Sequence, residues 1–454
     1  MKRFLTFYVF AIGAAIGAIA LVLRVGRHLT ASGSGVPKSP AARPVAGDIP
    51  TLLLEVAVII LAARVLGGIF RWIGQPQVVG EMAAGILLGP SLLGWALPGV
   101  SAFLFPASSL SLLNALCQLG LIVFMFLVGV ELDPELLKGR AHVAVVTSHA
   151  SIVAPFLLGT LLALLLFPRF GTAGVPFSNF ALFIGIAMSI TAFPVLARIL
   201  IERRLDRSPM GAVALSCAAV DDVSAWCILA LVIVLTRGET GAGDLPRILV
   251  GTAAFLAVMF FAGRPAFRRF GESFRRRGSL TQDSLALILL CVLASAWIAE
   301  MIGIHALFGA FVAGTMMPRD RDLARALAQR LEDFAIVLLL PLFFAYTGLR
   351  MSVRFLEGAS AWGWAAVILL VAVAGKLGGS AGAARFCRMS WRDAAAVGIL
   401  MNTRGLMELV VLNIGLDIGV ISPAVFTMFV LMALATTFMT SPLLRWIGAG
   451  KTTG

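Results

Sequence analysis

The amino-acid sequence predicts an all-α polytopic membrane protein made of two halves with opposite orientation. Three observations carry this expectation. Of 454 residues, 60% are hydrophobic and 13% are charged, where a soluble domain carries about 25% charge. Mean hydropathy is +0.98. Fourteen apolar segments follow one another, most near the roughly 20 residues that span a bilayer, and stretches of the first half recur in the second. A soluble enzyme, a disordered chain and a fibrous protein are excluded by that composition.

The segments are 4–24, 51–73, 76–92, 110–132, 142–167, 179–200, 209–236, 247–265, 281–301, 304–318, 331–349, 360–386, 393–416 and 420–446. The first follows Met1-Lys2-Arg3 and precedes the polar linker ASGSGVPKSPAARPVAGD (31–48). A cleaved signal and a retained anchor both fit; the length of the apolar stretch and the lack of a clear cleavage site favour the anchor. One N-terminal helix and about thirteen core helices result. The expected organisation is 1–50 for the helix and linker, 51–446 for the transmembrane domain, and 447–454 for a short tail. Within the domain, the repeats fall at about 51–236 and 281–446. They show as FMFLVGVEL (124–132) against PLFFAYTGL (341–349), and GILLGPSLLG (85–94) against FGAFVAGTMMP (308–318). The polar break SITAFPVLAR (189–198) is matched by LMNTRGLMEL (400–409).

Orientation follows from the cations. Of the 36 Lys and Arg residues, 24 fall at the termini and loops of one side, nine on the other, and Arg64, Lys376 and Arg404 inside helices. The positive-inside rule therefore places both termini in the cytoplasm. The cluster Arg268, Arg269, Arg275, Arg276 and Arg277 reads as a topology anchor able to contact anionic headgroups, so the net charge of +13 does not point to nucleic acid.

Asp221 and Asp222, in AAVDDVSAWC, lie about twelve residues into segment 209–236, or about 18 Å at 1.5 Å per residue, close to the bilayer midplane. A carboxylate at that depth is expensive unless it is paired or reaches water. Lys376, in VAVAGKLGGSAG, is similarly deep, and the small residues around it permit close helix approach. A buried ammonium and a buried carboxylate each need a partner, so an ion pair between Lys376 and one of the two aspartates is expected. Pro194 removes a backbone donor within its span, with Ser189 and Thr191 beside it. Asn402, Thr403, Arg404 and Gly405 interrupt the matching segment. Irregular backbone survives at this depth only where it is buried in protein or lines a cavity. Arg404 and Glu408, four apart on one helix face, are placed to pair.

Other polar residues point less clearly to a site. Glu81 could face the same cavity or pack helices, and Glu55 is expected to be solvated near a membrane edge. His28, His142, His149 and His305 are dispersed, and the five cysteines have neither metal-ligand spacing nor a disulfide framework. No HExxH, Gly-x-Gly-Asp or Walker motif is present, so no enzymatic activity, cofactor or nucleic-acid partner is expected. Two carboxylates, hydroxyls and freed carbonyls at the midplane form a hard oxygen site that can take a cation or protons. A passive cation channel is a weaker alternative. An organic-anion symporter of similar broken-helix architecture, with Arg404 holding a carboxylate, is another.

The motifs QPQVVGEMAAGILLGPSLLG, FLVGVELD, TAFPVLARIL, AVDDVSAWCILA, GAFVAGTMMPR, LPLFFAYTGL and LMNTRGLMELVVLNIG resemble the second branch of the monovalent cation:proton antiporters, with the last similar to plant cation/H+ exchangers. The resemblance implies an inverted-repeat antiporter fold with two crossed discontinuous helices, elevator motion and a homodimer. The expected location is a bacterial inner membrane. It implies that Asp222 holds the transported Na+ or K+, that Thr191 helps line the site, and that Asp221 pairs with Lys376 when no cation is bound; the residues themselves offer Asp221 and Ser189 as further oxygen ligands. Two acids at this position imply electrogenic exchange.

Overall fold

A computed structural model describes residues 2–31, 49–131, 141–203, 205, 208–238, 244–356 and 358–448. Residues 32–48 of the expected linker, residues 449–454 of the expected tail, and the connections 132–140 and 239–243 lie outside the described residues.

Each expected segment has a helical counterpart. In chain order these are α1 (Lys2–Gly26), α2 (Ile49–Trp72), α3 (Gln77–Leu88), α4 (Leu110–Glu131), α5 (Ala141–Phe170), α6 in two halves (Phe177–Ser189 and Phe193–Glu202) and α7 (Pro209–Gly238). There follow α8 (244–277), α9 (Gln282–Ile302), α10 (Ala306–Thr315), α11 (321–350), α12 (Gly358–Phe386), α13 in two halves (Trp391–Met401 and Leu406–Asp417) and α14 (Pro423–Trp446). Among the described residues, ten helical stretches are long and apolar enough to cross a bilayer, and the halves of α13, bent by 41°, make an eleventh as a pair.

Two expected boundaries move. The sequence reading ended segment 247–265 before an arginine-rich loop and began segment 331–349 after another. Both loops are helical and continuous with their spans. Leu323, Leu327 and Leu331 recur every four residues and are buried, as are Phe267 and Gly271, so each polar helix still has an apolar stripe to pack. Hydropathy averaging hides a stripe of this kind.

Glu55 is also not where hydropathy placed it. It is fully buried on α2 and accepts a hydrogen bond from the Ser109 hydroxyl. Ser109 belongs to the segment that follows the two short helices Leu93–Ala96 and Pro98–Leu104.

The two halves pack in matching ways. A β-carbon at Gly85 on α3 would sit 2.1 Å from the Phe344 carbonyl oxygen on α11, and one at Gly348 would collide with Gly85 in return. In the other pairing, a β-carbon at Gly314 on α10 would sit 2.2 Å from the Phe126 carbonyl oxygen on α4, and one at Gly129 would meet Phe311 at 2.4 Å. Each stretch crosses the counterpart of the other, not its own match: GILLG packs on FAYTG, and FMFLVG on FGAFVAG. Backbone contact this close is the membrane solution where small residues replace bulky ones.

Candidate ion-binding site

The site forms where the two broken helices cross. The first half of α6 ends at Ser189 and its second half begins at Phe193; the first half of α13 ends at Met401 and its second half begins at Leu406. The breaks are bonded to each other, with the Ala192 amide donating to the Thr403 carbonyl at 3.1 Å. Pro194 stands in the first turn of the second half of α6, where its missing N–H leaves no helical bond unmade. Gly405 lets the chains approach, since a β-carbon there would lie 2.9 Å from Val195 Cγ2.

Three of the four helix ends at this crossing are faced by a group of suitable sign. Arg404 donates to the carbonyls of Ala187 and Met188, at 2.9 and 2.6 Å, which belong to the last turn of the first half of α6. Its other bond, 2.9 Å, goes to Glu408, which lies in the first turn of the second half of α13. A cation at a helix C-terminus and an anion at an N-terminus both complement the macrodipole. The Thr191 hydroxyl lies 3.1 Å from the carbonyl of Met401, the last residue of the first half of α13, and accepts from Lys376 at 2.6 Å. The Lys376 ammonium thus lies one hydroxyl away from the second C-terminal end.

Lys376 and Asp221 meet beside this crossing at 3.0 Å, with both side chains fully buried. Lys376 lies in a π-helical turn, Ala374–Gly378, a local widening that often marks functional positions. Gly375 and Gly379 let α12 press on α5: β-carbons there would lie 2.8 Å from Pro155 Cα and 2.8 Å from Ala154 Cβ. That close packing puts the ammonium 3.1 Å from Ser151 Oγ. Asp221 accepts from Ser148 on one oxygen, at 2.6 Å, and from Ser151, Thr191 and Lys376 on the other, at 2.7, 2.8 and 3.0 Å.

Asp222 is treated in the opposite way. It too is fully buried, yet neither carboxylate oxygen has a hydrogen-bond partner among the described residues. Neighbouring residues on a helix point about 100° apart, so one aspartate is saturated by protein donors and the next has only oxygen lone pairs to offer.

The structure therefore brings Asp221, Lys376 and Thr191 together and places Arg404 with Glu408 at the crossing. Ser189 stands apart from the carboxylates: its hydroxyl lies 2.7 Å from the Gly185 carbonyl and 3.0 Å from that of Ile152. Thr403 donates to the Leu400 carbonyl. The Asn402 amide nitrogen lies 3.9 Å from Met439 Sδ, while its oxygen is buried without a partner among the described residues. Glu81 accepts from Gln77 at 2.9 Å, and Gln77 accepts from Arg198 at 3.1 Å. The sequence reading missed Ser148 and Ser151. Their signal was present: three small hydroxyl residues, Thr147, Ser148 and Ser151, interrupt one face of an apolar span.

Residues 57–447 match the family described as sodium/hydrogen exchanger, transmembrane. The chain is 45% identical over 400 residues to the Na(+)/H(+) antiporter NhaS4 of Synechocystis sp., covering 87% of this chain and 97% of that protein. It is 40% identical to cation/H(+) antiporter 17 of Arabidopsis thaliana, covering 88% of this chain and 48% of the relative. It is 35% identical to K(+)/H(+) antiporter 1 of Saccharomyces cerevisiae, covering 87% and 46%. The chain thus spans about half the length of these plant and yeast relatives. Among solved structures, the sodium proton antiporter MjNhaP1 of Methanocaldococcus jannaschii shares the fold, with a TM-score of 0.56 at 14% identity, covering 88% of this chain and 98% of that one. A match over most of the chain, with relatives at this identity and a shared inverted-repeat fold, makes the chain a member of the transmembrane sodium/hydrogen exchanger family, whose members are transporters and not enzymes.

Proposed function

We propose that this protein exchanges a monovalent cation, Na+ or K+, for protons by alternating access. The observation that carries the reading is the buried Asp222 carboxylate, which has no donor among the described residues and lies next to the Asp221–Lys376 pair. Oxygen lone pairs that no donor uses suit a hard cation, and the same carboxylate can take a proton instead. Cation and proton then compete for one site, and competition combined with alternating access yields exchange. In the cation-free state Lys376 neutralises Asp221. An arriving cation held by Asp222 and Asp221 takes over that neutralisation and releases the lysine. The relatives named above as Na+/H+, K+/H+ and cation/H+ antiporters support the reading.

The cations on the loops support an orientation with the arginine-rich face in the cytoplasm. The links between the site bundle and α3 and α11 support a moving core. Arg198 of α6 reaches Gln77 of α3, and Arg350 of α11 reaches Asn413 and Asp417 of α13 at 2.9 and 2.6 Å. Polar contacts of this kind exchange more readily than the glycine-tight crossings within the α3–α11 and α4–α10 pairs. The family resemblance supports a homodimer. Organic-anion symport is disfavoured because Arg404, its required anion receptor, is committed to two carbonyls and Glu408.

The test uses sealed vesicles containing the purified protein and a preset pH gradient. Na+ or K+ pulses between pH 6.5 and 8.5 should collapse the gradient. A gradient that survives every cation among Na+, K+, Li+ and Rb+ would remove the reading.

A further inference from the structure

On the arginine-rich face, α8 and the α10–α11 connection border an open cavity of about 810 Å³, within the roughly 300–1,000 Å³ range of small-molecule sites. Four of its lining residues are arginines, Arg264, Arg268, Arg275 and Arg319, against one acid, Asp320. That acid is already occupied: it caps α11 through the amides of Asp322 and Leu323 and faces Arg275 at 3.8 Å. Arg268 has Glu272 at 3.4 Å. Arg264 and Arg319 have no carboxylate partner among the described residues, so the cavity holds an excess of positive charge.

The other wall is apolar and includes Phe260 and Met316. The Arg264 guanidinium sits 5.4 Å above the Phe260 ring, at the boundary between the two surfaces. From Phe260 the apolar surface runs outward along α8 over Phe261 and Val258, which are 77% and 58% exposed. A cationic pocket that opens onto an apolar, outward-facing helix surface matches one ligand chemistry: a phosphodiester anion joined to a hydrocarbon tail. A free phosphate would satisfy the arginines and leave the apolar wall without a partner.

We propose that this cavity binds the headgroup of an anionic phospholipid, with its acyl chain along the exposed face of α8. The bound lipid ties the arginine-rich end of α8 to the α10–α11 connection. The site is separate from the aspartates, so the proposal stands independently of the transported ion.

The test is a titration of the purified protein in a neutral detergent with dioctanoyl phosphatidylglycerol, read as the thermal unfolding midpoint and as adducts in native mass spectrometry. The midpoint should rise saturably with phosphatidylglycerol and stay level with dioctanoyl phosphatidylcholine and with inorganic phosphate. In the double variant Arg264→Gln/Arg319→Gln the apparent affinity should fall roughly thirtyfold, the effect of removing two interfacial cations at ~1 kcal/mol each. Arg277→Gln, on the same helix but outside the cavity, should bind as the parent does. Equal shifts from inorganic phosphate would make this a soluble-anion site and overturn the lipid assignment. Equal losses in the double variant and in Arg277→Gln would reduce the effect to diffuse surface attraction and overturn the site.

Discussion

Asp221 and Asp222 are chemically identical and adjacent, and their surroundings give them different work. Asp221 accepts from three hydroxyls and an ammonium; Asp222 has no donor among the described residues. Asp222→Asn keeps the volume and removes the charge. It should abolish cation-dependent proton flux in vesicles while the protein still elutes as a folded, monodisperse species. Full exchange in that variant would take the cation site away from Asp222. Lys376→Ala acts through stability instead. Removing one partner of a buried pair leaves an uncompensated charge, with a destabilisation of about 3–5 kcal/mol. The unfolding midpoint should fall by several degrees, and Asp221→Asn added to Lys376→Ala should restore part of the loss. Additive losses in the double-mutant cycle would show that the two side chains do not interact energetically.

At the scale of helices, the fold depends on a few positions where backbones touch. Gly314→Ala should destabilise the α4–α10 crossing by roughly 1–3 kcal/mol, the usual range for overpacking, because its β-carbon would fall 2.2 Å from a carbonyl oxygen that cannot move away. Gly363→Ala on α12 meets nothing within 4 Å and should be neutral or slightly stabilising, since alanine is the better helix former. Comparing the two unfolding midpoints in detergent checks this, and an equal response would mean that the crossing carries no strain-sensitive packing. The pattern that makes these crossings was legible in the sequence. GILLG and FMFLVG could be matched with their counterparts, and the breaks at 190–192 and 402–405 showed as polar residues within apolar runs. The partners across the breaks were not legible. Nothing in LMNTRGLMEL says that Arg404 reaches the carbonyls of Ala187 and Met188, because the acceptors are backbone atoms with no sequence signature. Glu55 was misplaced because nearness to a helix end says nothing about a long-range partner such as Ser109, 54 residues away in the chain. Ser148 and Ser151 were passed over because serine in a membrane helix usually bonds to its own backbone; only the position of Asp221 on a neighbouring helix makes them donors.

For the molecule as a whole, charge decides what drives the cycle. The site holds two carboxylates and one ammonium, all buried. If binding one monovalent cation displaces two protons, each cycle moves one net charge across the membrane, and the membrane potential becomes a driving force alongside the pH gradient. A potential of 100 mV is worth about 2.3 kcal/mol per charge, or a factor of roughly fifty in the cation ratio sustained at equilibrium. Vesicles holding the protein with no pH gradient should therefore expel the cation when an inside-negative potential is imposed, and the limiting ratio should rise about fiftyfold per 100 mV. Asp221→Asn removes one of the two carboxylates of the proposed site and leaves Lys376 without its buried partner. Where that variant still exchanges, one proton should move per cation and the imposed potential should have no effect on the limiting ratio. Potential-driven expulsion that persists unchanged in Asp221→Asn would place the second proton on another group. A parent protein indifferent to the potential would show that the cycle carries one proton per cation and that Asp221 serves only to anchor the lysine.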